Sequence, residues 1–109
     1  MNELLYYKLT DKLMMSIEDA IGASGMDIDI DCVNAGGILT LTPDGCLPVI
    51  ISRQPSLRQL WVAATCGGFH FTYDEGKKQW TSDAVGETFI DLVNRCLSEQ
   101  SGEQVRLDF

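Results

Sequence analysis

A chain of 109 residues with sixteen Asp plus Glu against eight Lys plus Arg carries a formal charge of −8. That charge repels phosphate backbones and anionic lipid surfaces, which excludes nucleic acid and membranes as natural partners and favours cations and basic protein surfaces. Hydrophobic side chains make up 45% of the chain, enough for a core in a single domain over residues 1–109 and too many for a disordered polymer.

The first residues, Met-Asn-Glu-Leu-Leu-Tyr-Tyr-Lys, lack a basic region followed by an apolar one. No apolar run reaches the roughly 18 residues that span a bilayer, so a cytoplasmic protein is expected. From Glu3 to Ile21 the apolar residues Leu5, Leu9, Leu13, Ile17 and Ala20 or Ile21 recur every three or four positions, which predicts an amphipathic helix capped by Asn2. On its polar side Glu3, Asp11 and Glu18 form one stripe with Asp19 beside it. Glu18 and Asp19 fall in the closing turns, where the helix dipole disfavours negative charge by a few tenths of a kcal/mol each, so folding alone does not select them. The segment from Gly22 to Gly25 ends the helix.

Met26 to Cys32 alternates strictly, so as a strand it presents Asp27, Asp29 and Asp31 on one face and Ile28, Ile30 and Cys32 on the other. Neighbouring acids in such a strand stand about 6.7 Å apart and repel by about 0.6 kcal/mol in water. Asn34 to Gly37 reads as a turn, Ile38 to Thr42 as a half-buried strand, and Pro43-Asp44-Gly45 as the next turn. Further strands are predicted at Pro48 to Arg53, Leu57 to Ala64 and Phe69 to Tyr73, separated by Gln54-Pro55-Ser56 and Cys66-Gly67-Gly68, with a short strand around Trp80. Glu87 to Leu97 carries Phe89, Leu92, Val93, Cys96 and Leu97 on one helical face, with Gly102 at its exit. Val105, Leu107 and Phe109 then alternate in an extended tail that reaches the core. Short turns between strands favour an antiparallel meander, and the two terminal helices need one sheet face for burial. The expected fold is α+β: a two-layer α/β sandwich whose meander sheet is covered on one face by N- and C-terminal helices.

The four cysteines are widely spaced with no Cys-x-x-Cys pair, so neither a zinc knuckle nor a redox dithiol is signalled and reduced, mostly buried thiols are expected. No Gly-rich phosphate loop or nucleophile-histidine pattern marks an enzyme. Trp61 alternates with Leu60 and Val62, so with those two in the core, Trp61 and Gln59 face outward as a candidate interface anchor. His70, the only histidine, points opposite to Phe69 and Phe71, toward that outer face, and Trp80 is assigned to the core.

Six segments in this order carry a resemblance: Asp-Ile-Asp-Cys at 29–32, Gly-Gly-Ile-Leu-Thr at 36–40, Arg-Gln-Pro at 53–55, Gln-Leu-Trp at 59–61, Gly-Gly-Phe-His-Phe at 67–71 and Gly-Glu-Thr-Phe at 86–89. Together they resemble the bacterial branch of the frataxin family over nearly the whole chain. The resemblance implies weak binding of ferrous and ferric iron (Fe2+/Fe3+) on an acidic ridge and a place in iron-sulfur cluster assembly. Its implied partners are a cysteine desulfurase and an iron-sulfur scaffold protein, with a monomer that can form iron-dependent oligomers. The matching ridge positions are Glu3, Asp11, Glu18, Asp19, Asp27, Asp29 and Asp31, of which Glu18, Asp19, Asp27, Asp29 and Asp31 also face the partner. Gln54, Gln59 and Trp61 match the family's outward sheet face, while Ser52 stands where relatives usually carry Asn. Gly22, Ala23, Gly25 and Val33 replace frequent acids, so the ridge is thinner and fewer or weaker sites follow. Carboxylates suit hard cations in general, and other divalent or trivalent ions can substitute for iron. Two rivals to an iron-binding regulator or donor are an acidic protein-interaction module with incidental metal affinity and an iron-oxidising enzyme.

Overall fold

Asn2 starts the first helix: its side-chain oxygen accepts from Leu5 N at 2.8 Å and its carbonyl from Tyr6 N at 3.0 Å. The computed structural model describes residues 1–23 and 29–109. Helix α1 spans Glu3–Ala23 and buries Tyr6, Thr10, Met14 and Ile17. The predicted stripe through Leu5, Leu9 and Leu13 is therefore rotated: Leu5 is exposed, and Leu9 and Leu13 are half-buried on the flank. Tyr6 sets the rotation. Its hydroxyl donates to Gln59 O at 2.6 Å and accepts from Gln54 N at 3.0 Å, tying the helix to two strand ends. The buried Thr10 hydroxyl is satisfied by donating to Tyr6 O at 3.0 Å.

Among the described residues six strands follow: β1 Ile30–Ala35, β2 Ile38–Pro43, β3 Val49–Gln54, β4 Gln59–Ala64, β5 Gly67–Asp74 and β6 Gln79–Thr81. They form one antiparallel sheet in chain order. Helix α2, Phe89–Ser101, is capped by Thr88, whose side chain accepts from Asp91 N, and ends at Gly102 in the left-handed region. Both helices cover the same face. Tyr6 of α1 meets the Trp80 ring edge-on at 6.3 Å, and Phe89 of α2 meets Phe71 at 5.1 Å. Leu39, Leu41, Val49, Ile51, Leu60 and Val62 complete the core between the layers. The α+β sandwich, the meander and the core position of Trp80 agree with the sequence reading.

Several boundaries differ. Within the described residues strand β1 begins at Ile30, which pairs with Pro43. Met26, Asp27 and Ile28 lie outside the described residues. Strand β1 runs on through Asn34 and Ala35, and the turn shrinks to Gly36-Gly37, both with positive φ (61° and 80°), the two-residue hairpin that matches the twist of its strands. Pro55–Leu57 forms a 3₁₀ turn closed by Arg58 at φ 53°, so the strand predicted from Leu57 starts at Gln59. The last residues run beside α2 without regular secondary structure. Asn94 clamps Leu107 through two hydrogen bonds (2.9 and 2.8 Å), Ser98 accepts from Val105 N at 2.9 Å, and Val105 and Leu107 are buried. Of the four thiols only Cys96 is buried; Cys32 and Cys46 are intermediate and Cys66 is exposed, a correction to the expectation of mostly buried cysteines.

Candidate functional site

The acids fall into separate subsets. Glu3 is exposed in the first turn of α1, where the helix dipole favours a carboxylate. Fifteen positions separate it from Glu18, about 22 Å at 1.5 Å per residue, so the two cannot share an ion. Asp11 lies between them, and its carboxylate is hydrogen-bonded and ion-paired to Arg53 of β3. Arg53 in turn lies over the Tyr7 ring, 5.1 Å from its centroid, and against Gly37, where a β-carbon would approach Nε to 2.9 Å. Asp11 thus carries a compensated charge. Glu18 and Asp19 stand near the far end of α1, whose last turn holds no basic residue.

Asp29 and Asp31 are both exposed at the start of β1, and they line one shallow hollow of about 160 Å³ with Thr42, Pro43, Asp44 and Gly45. Asp44 joins them through the hairpin: its N–H donates to Asp29 O at 2.9 Å, which sets the two residues side by side. In the sequence Asp44 reads as a turn residue. The signal that finds it is register, since Ile30 opposite Pro43 brings the preceding Asp29 against the following Asp44. Glu18 and Asp31 both act on Cys32, the half-buried thiol next to Asp31. Burial first, then the Glu18 charge, then the Asp31 charge push that thiol up to about 11. The end of α1 and the start of β1 therefore share one negative field. Asp27 lies outside the described residues. Among the described residues no three His, Cys, Asp or Glu side chains converge as a metal cluster.

The outer sheet face is a second surface. Gln54 pairs with Gln59, Ser52 with Trp61, and Trp61 with His70 across neighbouring strands. The Trp61 indole stacks on the His70 imidazole, centroids 4.4 Å apart and planes 15° apart, and donates through Nε1 to Gln59 Oε1 at 2.8 Å. A rigid, flat aromatic pair results. Exposed Ile38 and Val33 extend the apolar character of this face toward β1. The sequence put His70 on this side; only the β4–β5 register reveals the stack.

Comparison with known proteins fits this geometry. A family model described as Frataxin-like domain matches residues 1–103. The chain belongs to the frataxin family. Among its relatives, a protein of Stutzerimonas stutzeri named iron-sulfur cluster assembly protein CyaY is 44% identical over 108 residues, covering 99% of this chain and 96% of that one. A protein of the same name from Pseudomonas aeruginosa is 47% identical over 105 residues, covering 96% and 95%. The frataxin of Psychromonas ingrahamii, a solved structure, superposes with a TM-score of 0.81 at 34% identity over the full length of both chains. The chain is thus a bacterial frataxin of the CyaY type. No helix among the described residues is long and apolar enough to cross a membrane.

Proposed function

We propose that this frataxin serves iron-sulfur cluster assembly in the cytoplasm by taking up ferrous or ferric ions loosely on its acidic ridge and regulating, or supplying iron to, a cysteine desulfurase and scaffold complex. The observation that carries the reading is the joint one: relatives covering nearly the whole chain are named for iron-sulfur cluster assembly, and Glu18, Asp29, Asp31 and Asp44 gather an open negative field at the α1–β1 edge. Carboxylate oxygens suit hard cations, and an open edge supplies one or two protein ligands per ion while water fills the remaining positions. Such binding is weak and readily reversed, which suits delivery or sensing better than storage. Iron is the cargo, and no side chain is assigned a catalytic part. Among the ridge positions, Glu18, Asp19, Asp29 and Asp31 are assigned to metal and to a basic partner surface, whereas Asp11 contributes less because Arg53 already holds it. Gln54, Gln59 and Trp61, with His70 behind the indole, are assigned to partner contact, since a preorganised aromatic on an exposed sheet loses little entropy on docking.

A second reading, an acidic interaction module with incidental metal affinity, is favoured by the lack of a converging donor set among the described residues. The variant Glu18→Gln/Asp29→Asn/Asp31→Asn separates the two in a reconstituted desulfurase–scaffold assay at several ferrous iron concentrations. The iron-carrier reading expects the iron dependence of cluster formation to vanish even at protein concentrations that saturate the complex. Retained iron dependence at saturation, with only the affinity for the desulfurase lowered, overturns it in favour of the module.

A further inference from the structure

Two cysteines unrelated to the ridge meet where the sheet packs on α2. Cys66 is exposed in the two-residue Thr65–Cys66 turn between β4 and β5, and Cys96 is fully buried on the sheet-facing side of α2. Their Sγ atoms are 3.1 Å apart, so a shift of about 1 Å reaches the disulfide bond length of about 2.05 Å. The approach is held in place by Gln100, one helical turn beyond Cys96. Gln100 Oε1 accepts from Thr65 N at 2.9 Å, and its Nε2 donates to Leu47 O and Pro48 O at 2.7 and 3.1 Å. The turn bearing Cys66 is therefore pinned to the helix bearing Cys96. The other two thiols are placed differently: Cys46 Sγ lies against Asp44 O at 3.5 Å, and Cys32 sits in the field of Glu18 and Asp31.

We propose that Cys66 and Cys96 form an oxidant-responsive, reversible disulfide that staples the β4–β5 turn to α2. With hydrogen peroxide as oxidant, the thiolate of solvent-exposed Cys66 attacks one peroxide oxygen. The O–O bond breaks, hydroxide leaves and is protonated to water, and Cys66 becomes a sulfenic acid. The Cys96 sulfur then attacks the Cys66 sulfur. The S–S bond forms, the S–O bond breaks, and the departing hydroxide takes the Cys96 proton as a second water. Two thiols and one peroxide give one disulfide and two waters, and a dithiol reductant returns both thiols by exchange. The order follows from the environment: burial first, then Cys66, push the Cys96 thiol up to about 12, so it stays protonated and shielded until its neighbour has been activated.

The test uses the full chain, treated with hydrogen peroxide, alkylated to trap remaining thiols, and read by intact mass, peptide mapping and melting temperature. The expected product is a monomer two hydrogens lighter, with a linked peptide pair containing Cys66 and Cys96. Its Tm is raised by about 10 °C and falls back with dithiothreitol, because the bond closes a long loop across β5, β6 and α2. Cys66→Ser, a change at an exposed position, abolishes both the link and the rise, whereas Cys32→Ser/Cys46→Ser keeps both. Oxidation that leaves Cys96 alkylatable, yields only intermolecular Cys66 dimers, or produces the linked monomer without a rise in Tm overturns the proposal.

Discussion

Arg53→Gln tests how the ridge is anchored to the fold. The Arg53 side chain is 19% exposed and its partner Asp11 61%, so the ion pair is partly screened and contributes about 0.5–1 kcal/mol. The contact with the Tyr7 ring adds about 0.5–1 kcal/mol. Lost contact of the guanidinium with Gly37 brings the cost to about 2 kcal/mol. For a chain of this length an unfolding entropy of about 0.23 kcal/mol/K converts this to a fall in Tm of about 9 °C. Asp11→Asn leaves the Tyr7 and Gly37 contacts in place, so its cost is smaller, about 0.7 kcal/mol or 3 °C. The double variant should be only as unstable as Arg53→Gln, a coupling that a double-mutant cycle reads directly. The same substitution uncovers the Asp11 charge. The metal-free protein therefore melts earlier, while the rise in Tm on adding manganese or cobalt grows beyond that of the parent chain. Thermal melts of the four proteins with and without metal decide the matter. Strictly additive effects, or an Arg53→Gln variant as stable as the parent, would refute the reasoning.

Other expected outcomes follow from separate parts of the molecule. Trp61→Ala should weaken desulfurase binding at least tenfold by calorimetry, as loss of a central aromatic anchor of about 2 kcal/mol does, while changing Tm by only a few degrees; a change in binding below twofold would remove the outer face from the interface. Leu107→Ala should lower Tm by about 10 °C, because the side chain is 3% exposed under the Asn94 clamp and its truncation leaves a cavity worth about 2–3 kcal/mol; an unchanged melt would mean that the tail does not hold to α2. Stability should fall as pH rises from about 9 toward 12. The folded Cys32 and Cys96 keep their protons up to about 11 and about 12, while the unfolded chain releases them near the ordinary value of 9.0, so the folded state binds more protons in that window. Melts at pH 8 and pH 10.5 should show Cys32→Ala losing less Tm than the parent between the two, and an identical loss would contradict the assigned burial.

The layers of this fold were readable because each signal was local. Strand alternation, the turns around Pro43-Asp44-Gly45 and within Asn34 to Gly37, and the apolar stripe of the second helix need only neighbours in sequence. What failed required a partner. Helix α1 presents Tyr6 rather than Leu5 because a phenol can bridge Gln54 and Gln59, a requirement of residues some fifty positions away. The same distance hid the functional details. Asp44 reaches Asp29 only through hairpin register, Arg53 neutralises Asp11 across 42 positions, and Trp61 finds His70 through β4–β5 pairing. The acidic character of the edge needed no structure; which acids are free to act did.

The most direct test is an anaerobic amide NMR titration with ferrous iron at two salt concentrations. Loose binding on the α1–β1 edge predicts shifts and broadening centred on Glu18, Asp19, Asp29, Asp31 and Asp44, in fast exchange and weaker at the higher salt. Effects centred on His70 and Trp61, or a tight site indifferent to salt, would contradict it.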